Sequence, residues 1–121
     1  MDSNWTLPIV EVFEVLPVDG PIGDGVDQVY AIADDDISVE LTAWVHDREL
    51  ELEVRRTGWE QPLLRTGRSR VVQLRSLDDP GQSFVRILCE RDDSKLTVEI
   101  ATKPHLAIRV YPGFDGALAT E

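Results

Sequence analysis

The chain reads as an all-β protein, a single-domain antiparallel β-sandwich or small barrel of about seven or eight short strands with hairpin and meander connections. Three observations lead there. Apolar and polar residues alternate over most of the length, clusters of Asp, Pro, Gly and Ser interrupt the alternation at short intervals, and no helix of three turns is visible that could cross between parallel strands. The clearest run is Val39, Leu41, Ala43 and Val45 interleaved with Glu40, Thr42 and Trp44, and after His46-Asp47-Arg48-Glu49 it resumes as Leu50, Leu52 and Val54. Apolar residues two apart would scatter around a helix, whereas on a strand they share one face, so the two runs form a hairpin.

The second half repeats the pattern. Arg70 to Leu77 is a strand, Asp78-Asp79-Pro80-Gly81 a turn, and Phe84 to Glu90 the returning strand. Arg91-Asp92-Asp93-Ser94 leads to Leu96, Val98 and Ile100, and Lys103-Pro104 leads to Leu106, Ile108 and Val110, which completes a four-stranded meander from about residue 70 to 111. The N-terminal third is less regular. Ile9 to Leu16 is rich in β-formers but bounded by Pro8 and Pro17, which suits an edge strand that cannot donate every ladder hydrogen bond. Residues 19–25 form a loop by composition, Val29 to Ala33 a short strand, and Asp34-Asp35-Asp36 the turn after it. The connection from Thr57 to Gly67 has no strong period and suggests a short helical turn at Pro62 to Arg65. Residues 1–121 form one domain, with 1–6 and 113–121 expected to fray.

At 121 residues the chain is long enough to bury a core of its own without disulfides or metals. Cys89 is its single cysteine, so an intrachain disulfide is excluded, and its place in the run Val85, Ile87, Cys89 marks it as a small buried hydrophobe. The first residues lack the basic and apolar regions of a leader, and no apolar stretch approaches a membrane span, so a cytoplasmic location with no membrane association is expected. A net charge of −11 argues against nucleic acid as a partner.

That charge is sorted into blocks. Residues 1–54 carry fourteen Asp or Glu against the single Arg48, and Arg55 to Arg75 carry six Arg against Glu60 alone. A fold that keeps part of this segregation owns an acidic region and an arginine-rich one, and either can steer a charged partner. The acidic expectation centres on Trp44, which shares its strand face with Glu40. Ringed by Glu40, Glu51 and Glu53, and with Asp34, Asp35 and Asp36 nearby, it has the make-up of an apolar anchor with a polar border. The alternative centres on Arg65, Arg68 and Arg70, where Trp59 could stack against a nucleotide or another anionic small molecule at a barrel mouth. A plainer reading is that these arginines neutralise carboxylates on neighbouring strands.

Other constellations point nowhere specific. Asp34 to Asp36, with Asp24 and Asp27, fit a strand-stopping turn better than a calcium loop, and two histidines with one buried cysteine are too few for a zinc site, so no metal or cofactor is expected. Ser69, Ser76, Ser83 and Ser94 lack nucleophile-elbow surroundings, and Gly20, Gly23 and Gly25 precede a strand where a phosphate loop would precede a helix. An enzyme acting through a buried carboxylate would need Glu11, Glu14 or Glu99 turned inward, and alternation places Glu99 outside. The leading expectation is therefore a non-enzymatic interaction protein, inhibitor-like or immunity-like, docking on a basic protein partner. A homodimer through an edge strand such as Ile9 to Leu16 is a side expectation.

Overall fold

The computed structural model describes residues 5–16, 18–19, 27–79 and 82–114. They form a helix, α1 (Leu7–Phe13), and nine strands: β1 (Val18–Asp19), β2 (Asp27–Ala33), β3 (Ile37–Trp44), β4 (Glu49–Arg56), β5 (Pro62–Arg65), β6 (Ser69–Asp79), β7 (Gln82–Arg91), β8 (Ser94–Ala101) and β9 (Ala107–Pro112). All ladders are antiparallel, in the order β1-β2-β3-β4-β6-β7-β8-β9, with β5 beside β4. The fold is all-β with one short helix, and no ladder among the described residues joins β9 back to β1.

Alternation produces this sheet because each strand has one apolar face to bury. Val39, Leu41 and Ala43 of β3 lie opposite Val54, Leu52 and Leu50 of β4, and all six are buried. With Tyr30, Val71, Val85, Ile87, Val98 and Ile100 they belong to the main core cluster, which the sheet encloses on its inner side.

The segment expected to be an edge strand is α1, and it lies against that interior. Trp5, Ile9, Val12 and Phe13 stand at helical spacing and are buried in the core, while Pro8 occupies the first turn, where its missing N–H is harmless. Glu14 ends the helix in a left-handed conformation (φ 60°) with its N–H on the Val10 carbonyl. Packing of an apolar stripe has overridden the β preference of Ile9, Val10 and Val12. Ile9 to Leu16 thus offers no strand edge to a second copy.

Both expected frayed ends are tied down where they are described. Trp5 and Thr6 are buried: the Trp5 indole donates to the Val45 carbonyl (2.9 Å), and the Tyr30 hydroxyl donates to Thr6 Oγ1 (2.8 Å). At the other end Phe114 packs on Leu88, the Gly113 N–H donates to the Lys95 carbonyl (2.9 Å), and the Thr97 hydroxyl donates to the Gly113 carbonyl (2.6 Å). The residues beyond Phe114 and before Trp5 lie outside the described ones, as does the 20–26 part of the expected loop.

Pro62 to Arg65, read from sequence as a helical turn, is β5. Proline at the first position of a short flanking strand costs no ladder bond. The chain then leaves β4 to become β6, and Thr66 bridges the break: the Leu52 N–H donates to Thr66 Oγ1 (3.1 Å) and the Thr66 N–H to the Leu52 carbonyl (3.0 Å).

Candidate protein-docking face

The outer face of β2 to β5 is a lattice fixed by register. One row runs Ala31, Glu40, Glu53, Arg65 across the four strands, and the row beside it places Ala33, Ser38 and Arg55. On the other side Val29, Thr42 and Glu51 form a third row, and Trp44 opposite Glu49 a fourth. Glu40, Trp44, Glu51 and Glu53 therefore do share a face, spread along β3 and β4, and the Asp34 to Asp36 turn closes the β2–β3 hairpin at its Ala33 and Ser38 end.

The arginines fold onto that face. Arg55 Nη2 pairs with Glu53 (3.0 Å), Arg65 Nε with Glu51 (2.9 Å), and Arg68 with both Asp47 (2.9 Å) and Glu49. Glu51 holds the Arg65 guanidinium above its usual pKa through this hydrogen bond and its charge, with Glu53 adding to it. Arg68 also lies over the Trp44 ring, 4.2 Å from its centroid, so Trp44 is a half-buried platform under a guanidinium. Arg70 pairs elsewhere, with Glu90 of β7. Arg65, Arg68 and Arg70 thus each meet a different carboxylate and do not converge on one point. Trp59 stands apart from them, with Arg56 5.4 Å from its ring centroid.

Three carboxylates on this side, those of Glu40, Asp35 and Asp36, have no cation among the described residues. Glu40 is exposed, and its side chain makes no hydrogen bond or ion pair among the described residues. Asp35 and Asp36 are exposed in the turn, whereas Asp34 is committed to its shape: its Oδ1 accepts the N–H groups of Ile37 (2.9 Å) and Asp36 (2.8 Å), which hold its carboxyl below the usual range. Among the described residues no group of three His, Cys, Asp or Glu side chains could hold a metal ion.

An apolar element that the charge pattern obscured borders this surface. Trp59 in the β4–β5 turn and Leu63 in β5 are each 55% exposed. The turn sits against the aspartates, since the Thr57 N–H donates to the Asp36 carbonyl (2.9 Å) and the Thr57 hydroxyl to that of Asp34 (3.1 Å). Two large apolar residues in a connection without period were the available signal. The arginines on either side of Trp59 drew it into the arginine cluster instead.

Further along the outer face, on β8, Glu99 does point away from Val98 and Ile100, as alternation requires, yet it is buried. Arg86 Nε donates to it at 2.8 Å, the Tyr111 hydroxyl at 3.1 Å, and Arg109 covers it at 3.7 Å. Desolvation first, then the Glu99 charge, raises the Tyr111 phenol. The carboxylate is locked among partners on the outer side of the sheet, away from the core that an inward catalytic group would reach. Among the described residues no helix is long and apolar enough to cross a membrane.

No protein-family model and no curated protein matches the chain. Among solved structures, it is similar to a chain of the contact-dependent growth inhibition toxin–immunity protein complex from Klebsiella pneumoniae 342, with a TM-score of 0.68 at 17% identity, covering 88% of this chain and 92% of that one. At that identity the likeness is one of fold.

Proposed function

We propose that this chain is a non-enzymatic, cytoplasmic protein-interaction module of the immunity or inhibitor kind, which docks a basic protein through the outer face of β2 to β4 and the adjoining β4–β5 turn. The observation that carries the reading is the make-up of that surface. Glu40, Asp35 and Asp36 present carboxylates to solvent with no cation among the described residues, and exposed Trp59 and Leu63 follow Thr57, which is hydrogen-bonded to the Asp34 to Asp36 turn. Aromatic anchors beside unsatisfied charge are what a protein interface uses, the first for affinity and the second for encounter rate and specificity. The fold shared with a chain of a toxin–immunity complex supports the same reading.

The test is capture from the host at low salt, identification of the bound protein, and reconstitution from purified components at about 50 and 500 mM salt. A basic partner whose association slows severalfold at high salt is expected, with Trp59→Ala weakening it at least tenfold. Failure to reconstitute any complex, or an affinity indifferent to both salt and Trp59, refutes the proposal.

A further inference from the structure

We propose that the trough along β2 and β3 is a slot for one arginine side chain of the partner, its stem lying on Ala31 and Ala33 and its guanidinium between Glu40 and Glu53. This rests on the docking reading above and names the chemistry of one contact within it.

Three features converge. Ala31, Ala33 and Ser38 put three small side chains side by side on this face, which leaves an open trough of about 490 Å³ walled by Glu40, Glu53 and Arg55. Glu40 and Glu53 are direct cross-strand neighbours, and like charges so placed repel unless a cation comes between them. Only Glu53 has one: Arg55 holds its Oε2 at 3.0 Å while also donating to the Glu60 carbonyl, which anchors that guanidinium on the far side. Glu40 is left facing the alanine floor with no partner among the described residues. An apolar floor ending in two carboxylates matches an apolar stem ending in a cation. A guanidinium has the planar fork to address both carboxylates together, which a compact ammonium lacks.

The experiment is a ¹⁵N–¹H titration of the full chain with acetyl-arginine methylamide, with acetyl-lysine methylamide and acetyl-norleucine methylamide as comparisons, repeated on Glu40→Gln and Ala31→Phe. The second variant fills the floor without altering charge, and a thermal melt shows that each variant is folded. Expected are saturable shifts at the amides of Ala31, Ala33, Ser38 and Glu40, with an arginine Kd at least threefold below that of the lysine amide. Each substitution should raise that Kd at least fivefold. Shifts spread equally over the acidic turns at Asp35 and Asp92, equal binding of the norleucine or lysine amide, or indifference to both substitutions overturns the slot. The reconstituted complex separates the two proposals. A partner that binds wild type and both variants alike removes the slot and leaves the docking reading, whereas absence of any partner removes the docking reading while the arginine titration still decides the slot.

Discussion

Removing the Glu99 carboxylate is the sharpest test of how the sheet is held on its outer side. Glu99→Ala leaves Arg86, whose side chain is only 13% exposed, without the acceptor 2.8 Å from its Nε, and it strips the Tyr111 hydroxyl of its acceptor. Breaking a buried ion pair by deleting one partner costs about 3 to 5 kcal/mol, because the surviving charge stays desolvated. Two facts favour the lower end: Arg86 keeps a further interaction, and Arg109 is 76% exposed, so its share falls in the range of surface pairs. A loss of about 3 kcal/mol follows, which for a domain of this size lowers the melting temperature by about 12 °C. Urea denaturation followed by circular dichroism measures it. The double variant Arg86→Met, Glu99→Leu should recover most of the loss, since an apolar pair of similar volume leaves no buried charge unmatched. A cost below about 1 kcal/mol for Glu99→Ala, or a double variant that is merely additive within about 0.5 kcal/mol, would refute the reasoning.

Three further outcomes follow from the same geometry. Ile9→Ala should cost about 3 kcal/mol in the same urea assay, because Ile9 is wholly buried where α1 meets the core; a cost near zero would mean the helix is not docked there. Burial pushes the Cys89 thiol up to about 11, so Ellman's reagent at pH 8 should label it only at the rate of unfolding, and alkali should weaken the fold as pH climbs from the ordinary thiol value of 9.0 toward 11; rapid labelling of the native protein contradicts this. For Asp34 the sign is opposite: its carboxyl is depressed by the Ile37 and Asp36 N–H groups, so what it contributes is present above the ordinary 3.8 and lost as pH falls below it. Wild type and Asp34→Ala should therefore differ in stability at pH 7 and converge in acid, and a constant gap across that titration would exclude the turn as the cause.

The hairpins were legible because a strand with one buried face writes its geometry into every second residue. β3 and β4 follow the alternation of Val39 to Val54, and Val85, Ile87, Val98 and Ile100 carry the same period through β7 and β8, although Leu88, Thr97 and Glu99 on the opposite face are buried as well. α1 was not, since Pro8 and Pro17 bracket a run of β-formers and its helical stripe begins at Trp5, outside the run that suggested a strand. Nothing local distinguishes the two; the decision belongs to the interior that the sheet leaves for a plug. The outward direction of Glu99 was legible, but its burial was not, for a related reason. Alternation gives the side of the sheet but not what covers it, and its cover comes from Arg86 and Arg109, thirteen residues before and ten after. The candidate site was legible as composition, in the glutamates of β3 and β4. How it is neutralised depended on β5 lying beside β4, which a segment without period could not announce.

The separation of charge along the chain does not survive as two opposed regions. Because β5 and the start of β6 flank β4, the arginine block lands on the acids that precede it, and Glu49, Glu51 and Glu53 lie 17–30% exposed beneath guanidinium groups that are 39–62% exposed. A partner's cation approaching Glu51 must displace Arg65, whereas at Glu40 it displaces only water. This makes the two glutamates distinguishable although each carries one charge. Glu40→Gln and Glu51→Gln change the long-range field equally, so both should slow association with a basic partner by the same modest factor. On the proposed docking face only Glu40→Gln removes a contact with the partner, so it should speed dissociation, by about tenfold for a loss of 1.4 kcal/mol. Glu51→Gln should leave the dissociation rate near that of wild type, because its carboxylate was already spent on Arg65. Equal dissociation rates for the two variants in a stopped-flow chase would mean that the internal arginines do not shield β4, and the docking face would have to be drawn without regard to the ion pairs.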